Sequence, residues 1–365
     1  MQDFVDLRAL RDIGLSHDTL QAALAHARPD DTRLARVIEI QRDRLLVDDG
    51  TRTLAVVPWP TLRVALERER DALVVGDWAW CRLAASAVDL GWVVARLPPR
   101  NRLTRRDAAG GRQGLVANLD TALLVMGLDR DFNLRRLDRF LVLAHSADAR
   151  AVVVLTKADR CDYPAAAVER VRAHVGDMRD DIAVVAVDAR SEVAVDALSR
   201  WLVRGSTLVA LGSSGAGKTT LTNTLTGASA RTHAVRTTDE RGLHTTAVRT
   251  LHRTDAGACL IDTPGLRQLW LDADADVLNG AFPEIGAFAL QCRYRNCRHA
   301  QEPGCAVRQQ VPSARLVSFQ KLLREAEREQ ADVFQRNPQL AQWKRRSRDN
   351  RARHAARAAG EDRGR

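Results

Sequence analysis

The chain has 365 residues, 45% of them hydrophobic, which supports two or three folded domains and excludes a wholly disordered protein. A net charge of +10 points to a polyanionic partner, nucleic acid before anionic membrane. No apolar run is long enough to span a bilayer, and Met1 to Leu10, with Asp3 and Asp6, lacks the apolar block of a signal peptide; a cytoplasmic protein with reduced cysteines is expected.

Residues 1–32 read as a partly helical N-terminal extension. From Ala35 to Leu97, short β-rich runs follow one another: Arg36–Ile40, Arg44–Val47, Leu54–Val57, Val74–Leu83 and Trp92–Leu97. Turn signals such as Asp48-Asp49-Gly50 separate them, so residues 33–100 are expected to form a small barrel of OB type. Trp78 and Trp80 lie two apart and share one face of a strand; they either fill the barrel core or stack on bases. The basic stretch Arg96, Arg100, Arg102, Arg105 and Arg106 is either a solvated linker or a track for phosphate backbone.

Past Pro98-Pro99 the pattern changes. Compact apolar runs at Leu123–Met126, Val152–Leu155, Ile182–Val187 and Thr207–Leu211 alternate with helical stretches at Leu134–Ala144, Pro164–Val175 and Val193–Val203. That alternation predicts a parallel sheet covered on both faces, an α/β domain over residues 101–275. Inside it, Gly212, Ser213, Ser214, Gly215, Ala216, Gly217, Lys218 and Thr219 match the phosphate-loop pattern Gly-x4-Gly-Lys-[Ser/Thr], with Thr220 just behind. Backbone amides of such a turn converge on phosphate oxygens at a helix N-terminus; Lys218 would pair with the outer phosphates and Thr219 would bind Mg²⁺. Downstream, Asp262-Thr263-Pro264-Gly265 follows the strand Ala258–Ile261. Asp262 suits indirect contact with Mg²⁺, and the Gly265 amide can face a γ-phosphate.

Thr156-Lys157-Ala158-Asp159 looks like the base-reading motif of a GTPase. Asp159 can accept both the ring N–H and the exocyclic amine of guanine, a donor pair that adenine lacks, and the Lys157 stem would pack on the base. Asn is common where Thr156 stands, so some hydrogen bonding is expected to be lost. Asp188-Ala189 stands where a supporting Ser-Ala pair is expected. This motif precedes the phosphate loop, whereas in an ordinary GTPase it follows. The inversion narrows the field to circularly permuted branches.

Beyond Ala281, Cys292, Cys297, His299 and Cys305 are spaced Cys-x4-Cys-x-His-x5-Cys, a closed set of four that suits one structural Zn²⁺. A helix is predicted over Ala314–Gln330, giving a zinc-binding helical domain over residues 276–340. Residues 341–365, with Lys344, Arg345, Arg346, Arg348, Arg351, Arg353 and Arg357, read as a basic disordered tail with non-specific attraction for RNA.

With these motifs in hand, the chain resembles the RsgA (YjeQ) family of ribosome small-subunit-dependent GTPases over roughly residues 33–330. Val75-Gly76-Asp77-Trp78, Asn118-Leu119-Asp120, Asp131-Phe132-Asn133 and Glu302-Pro303-Gly304-Cys305-Ala306-Val307 add to the resemblance. It implies a multidomain plan: an N-terminal OB-type β-barrel, a central circularly permuted α/β P-loop GTPase and a C-terminal zinc-binding helical domain. It also implies GTP hydrolysis to GDP stimulated by the small ribosomal subunit, a role in that subunit's late maturation and contact with its rRNA. Zn²⁺ and Mg²⁺ with GTP are the implied cofactors; no membrane partner and a monomeric state are expected. Many GTPases place a water-orienting Gln where this chain has Leu266. The stretch Gly242-Leu243-His244-Thr245-Thr246 resembles the family's switch I and makes His244 the catalytic candidate, with Thr246, or else Thr245, on Mg²⁺. Since the chain runs from Gly265 almost directly into the zinc segment, the γ-phosphate is expected to reorient that segment. Two rival readings follow from the same residues: an RNA-binding adaptor that holds GTP as a structural ligand with little turnover, favoured by Leu266, Thr156 and Asp188, and a metal-delivery GTPase with labile metal.

Overall fold

A computed structural model describes residues 6–84, 89–106, 111–176, 182–227, 249–263, 270–271, 273 and 275–328. Two short helices open the described chain: α1 (Leu7–Asp12), capped by the Asp6 carboxylate, and α2 (His17–Ala25), capped by the Ser16 hydroxyl. Five strands follow: β1 (Arg33–Ile40), β2 (Leu45–Asp48), β3 (Thr53–Pro58), β4 (Trp78–Arg82) and β5 (Gly91–Arg96). They close in the order β1-β2-β3-β5-β4 and back to β1, with only the β3–β5 pair parallel. The interior is filled by Val37, Val47, Val56, Ala79, Cys81 and Val93 among others. Closure removes the exposed strand edges that an open sheet would offer.

Two details of the barrel differ from the sequence reading. A helix, α3 (Pro60–Glu69), links β3 to β4; Pro60 at its first position is the signal for its start. The run Val74–Leu83 becomes a strand only at Trp78. Gly76 turns the chain at φ +94° where it presses on the Ala117 carbonyl, and a Cβ there would lie 2.2 Å from that oxygen.

The two tryptophans neither fill the barrel nor lie open to bases. Ala79 and Cys81 point inward, so Trp78 and Trp80 point outward from β4. The N-terminal helices cover them: both rings pack with Leu10, Ile13, Leu15 and Ala23, leaving Trp78 1% and Trp80 6% exposed. Both faces of β4 are therefore buried.

The basic stretch is tied down within the chain. Arg96 and Arg102 each place Nη1 2.7 Å from the Asp71 carboxylate, Arg102 reaches Asp77 at 3.1 Å, and Arg100 reaches Asp120 at 2.7 Å. Arg105 donates to Gln113 at 2.9 Å. Three of the five arginines thus fasten the barrel exit to its surroundings. A hairpin of β6 (Arg102–Arg106) and β7 (Arg112–Ala117) accounts for this segment; β14 (Trp270–Leu271) pairs with β6.

The central sheet is built from β8 (Thr121–Gly127), β9 (Arg150–Thr156), β10 (Ala183–Ala186), β11 (Thr207–Gly212), β12 (Thr250–Arg253) and β13 (Cys259–Asp262). Its order is β10-β9-β8-β11-β13-β12, parallel except for β12, which runs antiparallel to β13 and pairs on its other side with β1 of the barrel, Glu39 opposite Thr250. Leu124 and Met126 face α4 (Leu134–Ser146) and α5 (Pro164–Val175); Leu123 and Val125 face α6 (Val193–Leu198) and α7 (Lys218–Leu225). A strand buried on both sides has no polar alternation to show, which is why β8 reads as a continuous apolar run.

The C-terminal helices α8 (Ala275–Ala281), α9 (Pro283–Ala289), α10 (Ala306–Gln310) and α11 (313–328) lie against α4. Leu278, Phe282, Ile285, Val307, Phe319 and Leu322 share one apolar core with Leu137, Phe140, Leu141 and Ala144. Among the described residues, no helix is long and apolar enough to cross a membrane.

Candidate nucleotide site and metal centre

The carboxyl ends of β8, β9, β10, β11 and β13 converge on one edge of the sheet, where ligand loops of doubly wound folds gather. The phosphate loop runs from Gly212 to the first turn of α7. Gly217 adopts φ +91°, a conformation that side chains disfavour, and a Cβ on it would press on the Thr156 hydroxyl at 3.1 Å. Lys218 is buried and curls back over the loop: its Nζ donates to the carbonyls of Gly212 at 3.0 Å and Ser213 at 2.7 Å. Burial pushes the Lys218 ammonium below its ordinary range, against the pull of Asp262 and Asp131. Burial likewise pushes the Asp262 carboxyl up, opposed by Lys218. Asp262 Oδ1 is buried with no hydrogen-bond partner among the described residues. That orphaned oxygen and the hydroxyl of Thr219, an exposed residue in the first turn of α7, make an all-oxygen donor set that fits Mg²⁺ and its waters. Ser214, Gly215 and Thr220 are exposed along the same loop, and Ala216 is buried beneath it.

The segment Thr156–Asp159 lies against this loop although it precedes it in the chain. Thr156 is fully buried, and its hydroxyl donates to the Ala216 carbonyl at 2.6 Å. Lys157, at φ +60°, donates from Nζ to the Gly215 carbonyl at 2.7 Å and to Asp129 at 2.6 Å, which lays its stem along the loop. The Asp159 carboxylate accepts from Arg190 Nη2 at 2.8 Å. Asp188 and Ala189 follow β10; the Ala189 carbonyl accepts the Thr224 hydroxyl at 2.6 Å, which fastens this loop to α7.

Three residues that the sequence reading gave no role complete the frame. Asp131 accepts from the Ser213 hydroxyl and from the Gly127 amide at 3.1 Å, and it pairs with Arg136 at 2.6 Å. Asp129 holds Lys157, whose hydrogen bond lowers the Asp129 carboxyl from its ordinary range. Arg190 bridges Asp159 and Asp188. Asp131-Phe132-Asn133 carried a family signal but no role, and Asp129 meets Lys157, and Arg190 meets Asp159, only once the loops come together. His244, Thr245, Thr246, Gly265 and Leu266 lie outside the described residues, as does the basic tail.

The second candidate site is in the C-terminal segment. Ligand atoms of Cys292, Cys297, His299 and Cys305 all lie within 4.8 Å of one another. Cys292 Sγ and Cys305 Sγ are 3.9 Å apart, and His299 Nδ1 is 3.6 and 3.5 Å from them. Tetrahedral Zn²⁺ with ordinary bond lengths requires edges of about 3.8 Å between sulfurs and about 3.6 Å from sulfur to nitrogen. The four residues fit that ion, and Nδ1 is the imidazole nitrogen that faces it. Glu302 organises the loop between the ligands by accepting the amides of Arg298, Ala300 and Gln301 at 3.0, 2.8 and 3.1 Å. Those amides and its own hold the Glu302 carboxyl down to about 2.

Residues 96–272 match the family model described as RsgA GTPase. A protein of Xylella fastidiosa (strain M23), "Small ribosomal subunit biogenesis GTPase RsgA", is 46% identical over 281 residues, covering 76% of this chain and 81% of that one. This chain belongs to the RsgA family. A protein of the same name from Xanthomonas campestris pv. campestris (strain B100) is 41% identical over 304 residues, 79% of each chain. Two solved structures share the fold. YjeQ from Thermotoga maritima aligns with TM-score 0.59 at 22% identity, over 81% of this chain and 98% of that one. YloQ, described as a circularly permuted GTPase, aligns with TM-score 0.56 at 20% identity, over 83% and 97%. In this chain β9, which leads into Thr156–Asp159, likewise precedes β11, which leads into the Gly212–Thr219 loop.

Proposed function

We propose that this chain is a Mg²⁺-dependent GTP hydrolase that binds the small ribosomal subunit, is stimulated by it and assists its late maturation. The observation that carries the reading is the Thr156 hydroxyl bonded to the Ala216 carbonyl. It joins a base-reading segment to a phosphate loop across the inverted chain order, so one nucleotide can bridge both. The name shared by the Xylella and Xanthomonas relatives supports the subunit as partner.

In this reading Asp159 accepts the guanine N–H pair, with Lys157 along the base and Asp188 and Ala189 beside it. Lys218 and the loop amides hold the outer phosphates. Thr219 and Thr246, or else Thr245, would hold Mg²⁺, with Asp262 in indirect contact; the ion when bound neutralises charge on the phosphate oxygens. Gly265 would face the γ-phosphate, and His244 would orient the attacking water in place of the Gln that stands elsewhere at the position of Leu266. Cys292, Cys297, His299 and Cys305 hold one structural Zn²⁺. The domain bounds 33–100, 101–275 and 276–340 complete the proposal, with the basic surface and tail drawn to rRNA.

Steady-state GTP hydrolysis with purified small subunits, large subunits or neither tests it. Strong stimulation by small subunits alone is expected, and His244→Ala should then abolish it. Equal, near-zero turnover in all three with GTP still bound would replace this reading with that of a nucleotide-bound RNA adaptor. Zinc lost under mild chelation would favour metal delivery.

A further inference from the structure

The carboxylate assigned to base reading has a neighbour of the same charge. Strands β9 and β10 pair in parallel, Leu155 opposite Ala186, so the loops that follow them bring Asp159 and Asp188 side by side. A hydroxyl at position 188 would donate a hydrogen bond to Asp159; a carboxylate offers only repulsion. Arg190 lies between the two acids. Its Nη2 donates to Asp159 Oδ2 at 2.8 Å and to Asp188 Oδ2 at 3.3 Å, its Nε donates to Asp188 Oδ1 at 3.2 Å, and its own amide donates to Asp188 Oδ1 at 3.0 Å. Among the described residues, Arg160 is the other cation paired with this carboxylate, with Nε 3.7 Å from Asp159 Oδ2.

We propose that Arg190 is the positioning residue of guanine recognition: it cancels the charge of Asp188 and supplies the donor that fixes the Asp159 carboxylate toward the base. This inference rests on Asp159 being the base reader. A guanidinium carries five N–H donors in a fixed plane and can serve two carboxylates at once. A carboxylate has about four acceptor positions, so Asp159 can keep its bond to Arg190 and still accept two from guanine. The direction of the mutual charge effect agrees: the Arg190 hydrogen bond lowers the Asp188 carboxyl, and Asp188 raises the Arg190 guanidinium. Arg190 is 60% exposed, so these pairs add little to folding. Their effect falls on the orientation of one side chain. Asp188 and Arg190 thereby act as a compensated pair in place of the expected serine.

The test uses the full-length chain, with fluorescent GDP and XDP binding, KM and kcat for GTP, and the urea midpoint. Arg190→Ala is expected to weaken GDP binding about five- to tenfold and to raise KM for GTP with kcat and the urea midpoint unchanged. Adding Asp188→Ser to Arg190→Ala should restore most of the lost affinity, because the repulsion goes and a hydroxyl donor returns. Arg190→Ala that binds GDP as well as or better than the unmodified chain overturns the proposal; tighter binding would mean that Arg190 competes with guanine. Asp159→Asn is the control on the underlying assignment and should shift preference from guanine to xanthine nucleotides. If it does not, the base-reading assignment fails and takes the proposal with it.

Discussion

Thr156 and Asp71 show what single side chains decide here. The Thr156 hydroxyl is the bond between two motifs that lie far apart in the chain, and Ala216, its acceptor, is buried. Thr156→Val keeps the shape and removes the hydroxyl, leaving that carbonyl without a partner at a cost of about 1–3 kcal/mol. The urea midpoint should fall accordingly, and GDP should bind more weakly; unchanged values for both would show that the contact is incidental. Asp71 governs a different property. Burial raises its carboxyl, but hydrogen bonds from Arg102 and Arg96 outweigh burial and hold it below its ordinary range. A group lowered in the folded state stabilises fully above its unfolded value of about 3.9 and loses that contribution as pH falls through the folded value. Asp71→Asn should therefore be less stable than the parent at pH 7, and the gap should close below about pH 3.9. Urea titrations at pH 7 and pH 3 measure it; a gap independent of pH would assign the loss to packing instead.

At the scale of elements, the N-terminal helices carry more than the sequence suggested. Arg36, fully buried on β1, donates to the carbonyls of Ile13 at 2.6 Å, Asn118 at 3.3 Å and Gly76 at 3.4 Å, so it meets the N-terminal segment, the barrel and the central domain at once. Asp12 and Arg204 add a two-bond pair at 2.6 Å each. Gly14 makes this fit possible: it sits at φ +91°, and a Cβ would lie 2.1 Å from Arg36 Nη1. Gly14→Val should cost about 1–3 kcal/mol for the backbone alone, with the overlap in addition. Displacing α1 uncovers Trp78 and Trp80, so a red shift in tryptophan emission should accompany the loss; stability lost without a shift would place the damage elsewhere. The sequence made the parallel strands legible because apolar runs and the phosphate loop are local signals. It made the shared face of Trp78 and Trp80 legible too, since strand periodicity is local. Which face turns inward depends on pairing with distant strands, and what covers the other face depends on residues some 60 positions earlier. Arg190 was illegible for the same reason, since one of its two acids lies 31 positions away.

On the scale of the whole molecule, permutation sends the chain from β13 into the C-terminal helices, which invites the idea that the γ-phosphate swings them. Their packing opposes a rigid swing. Phe282 and Phe319 stack edge-on at 5.3 Å within the core shared with α4, and Arg315, 1% exposed, lies 4.0 Å over the Phe282 ring. Arg315 also bonds Asp138 of α4 and Glu284 of α9, the latter at 2.7 Å, while His174 of α5 sits 3.0 Å from Asp138. Moving the helices would leave these buried charges without partners, a cost of about 3–5 kcal/mol for the first one broken. The metal loop is freer: Leu290 is 90% exposed at its start. A nucleotide signal is therefore expected to reach residues 290–304 and to leave 313–326 still. Hydrogen exchange with GDP and with a non-hydrolysable GTP analogue should differ, if anywhere in this segment, in the loop; a difference spread through 313–326 would restore the swing. Arg315→Met supplies the energetic half of the argument. Removing the cation leaves Glu284 without its partner and Asp138 with His174 alone, and should lower stability by about 3–5 kcal/mol, whereas adding Asp138→Asn and Glu284→Gln should recover much of it because no uncompensated charge remains. If Arg315→Met instead unfolds only the C-terminal helices, at a separate and lower transition, they are an independent unit and the nucleotide is free to move them.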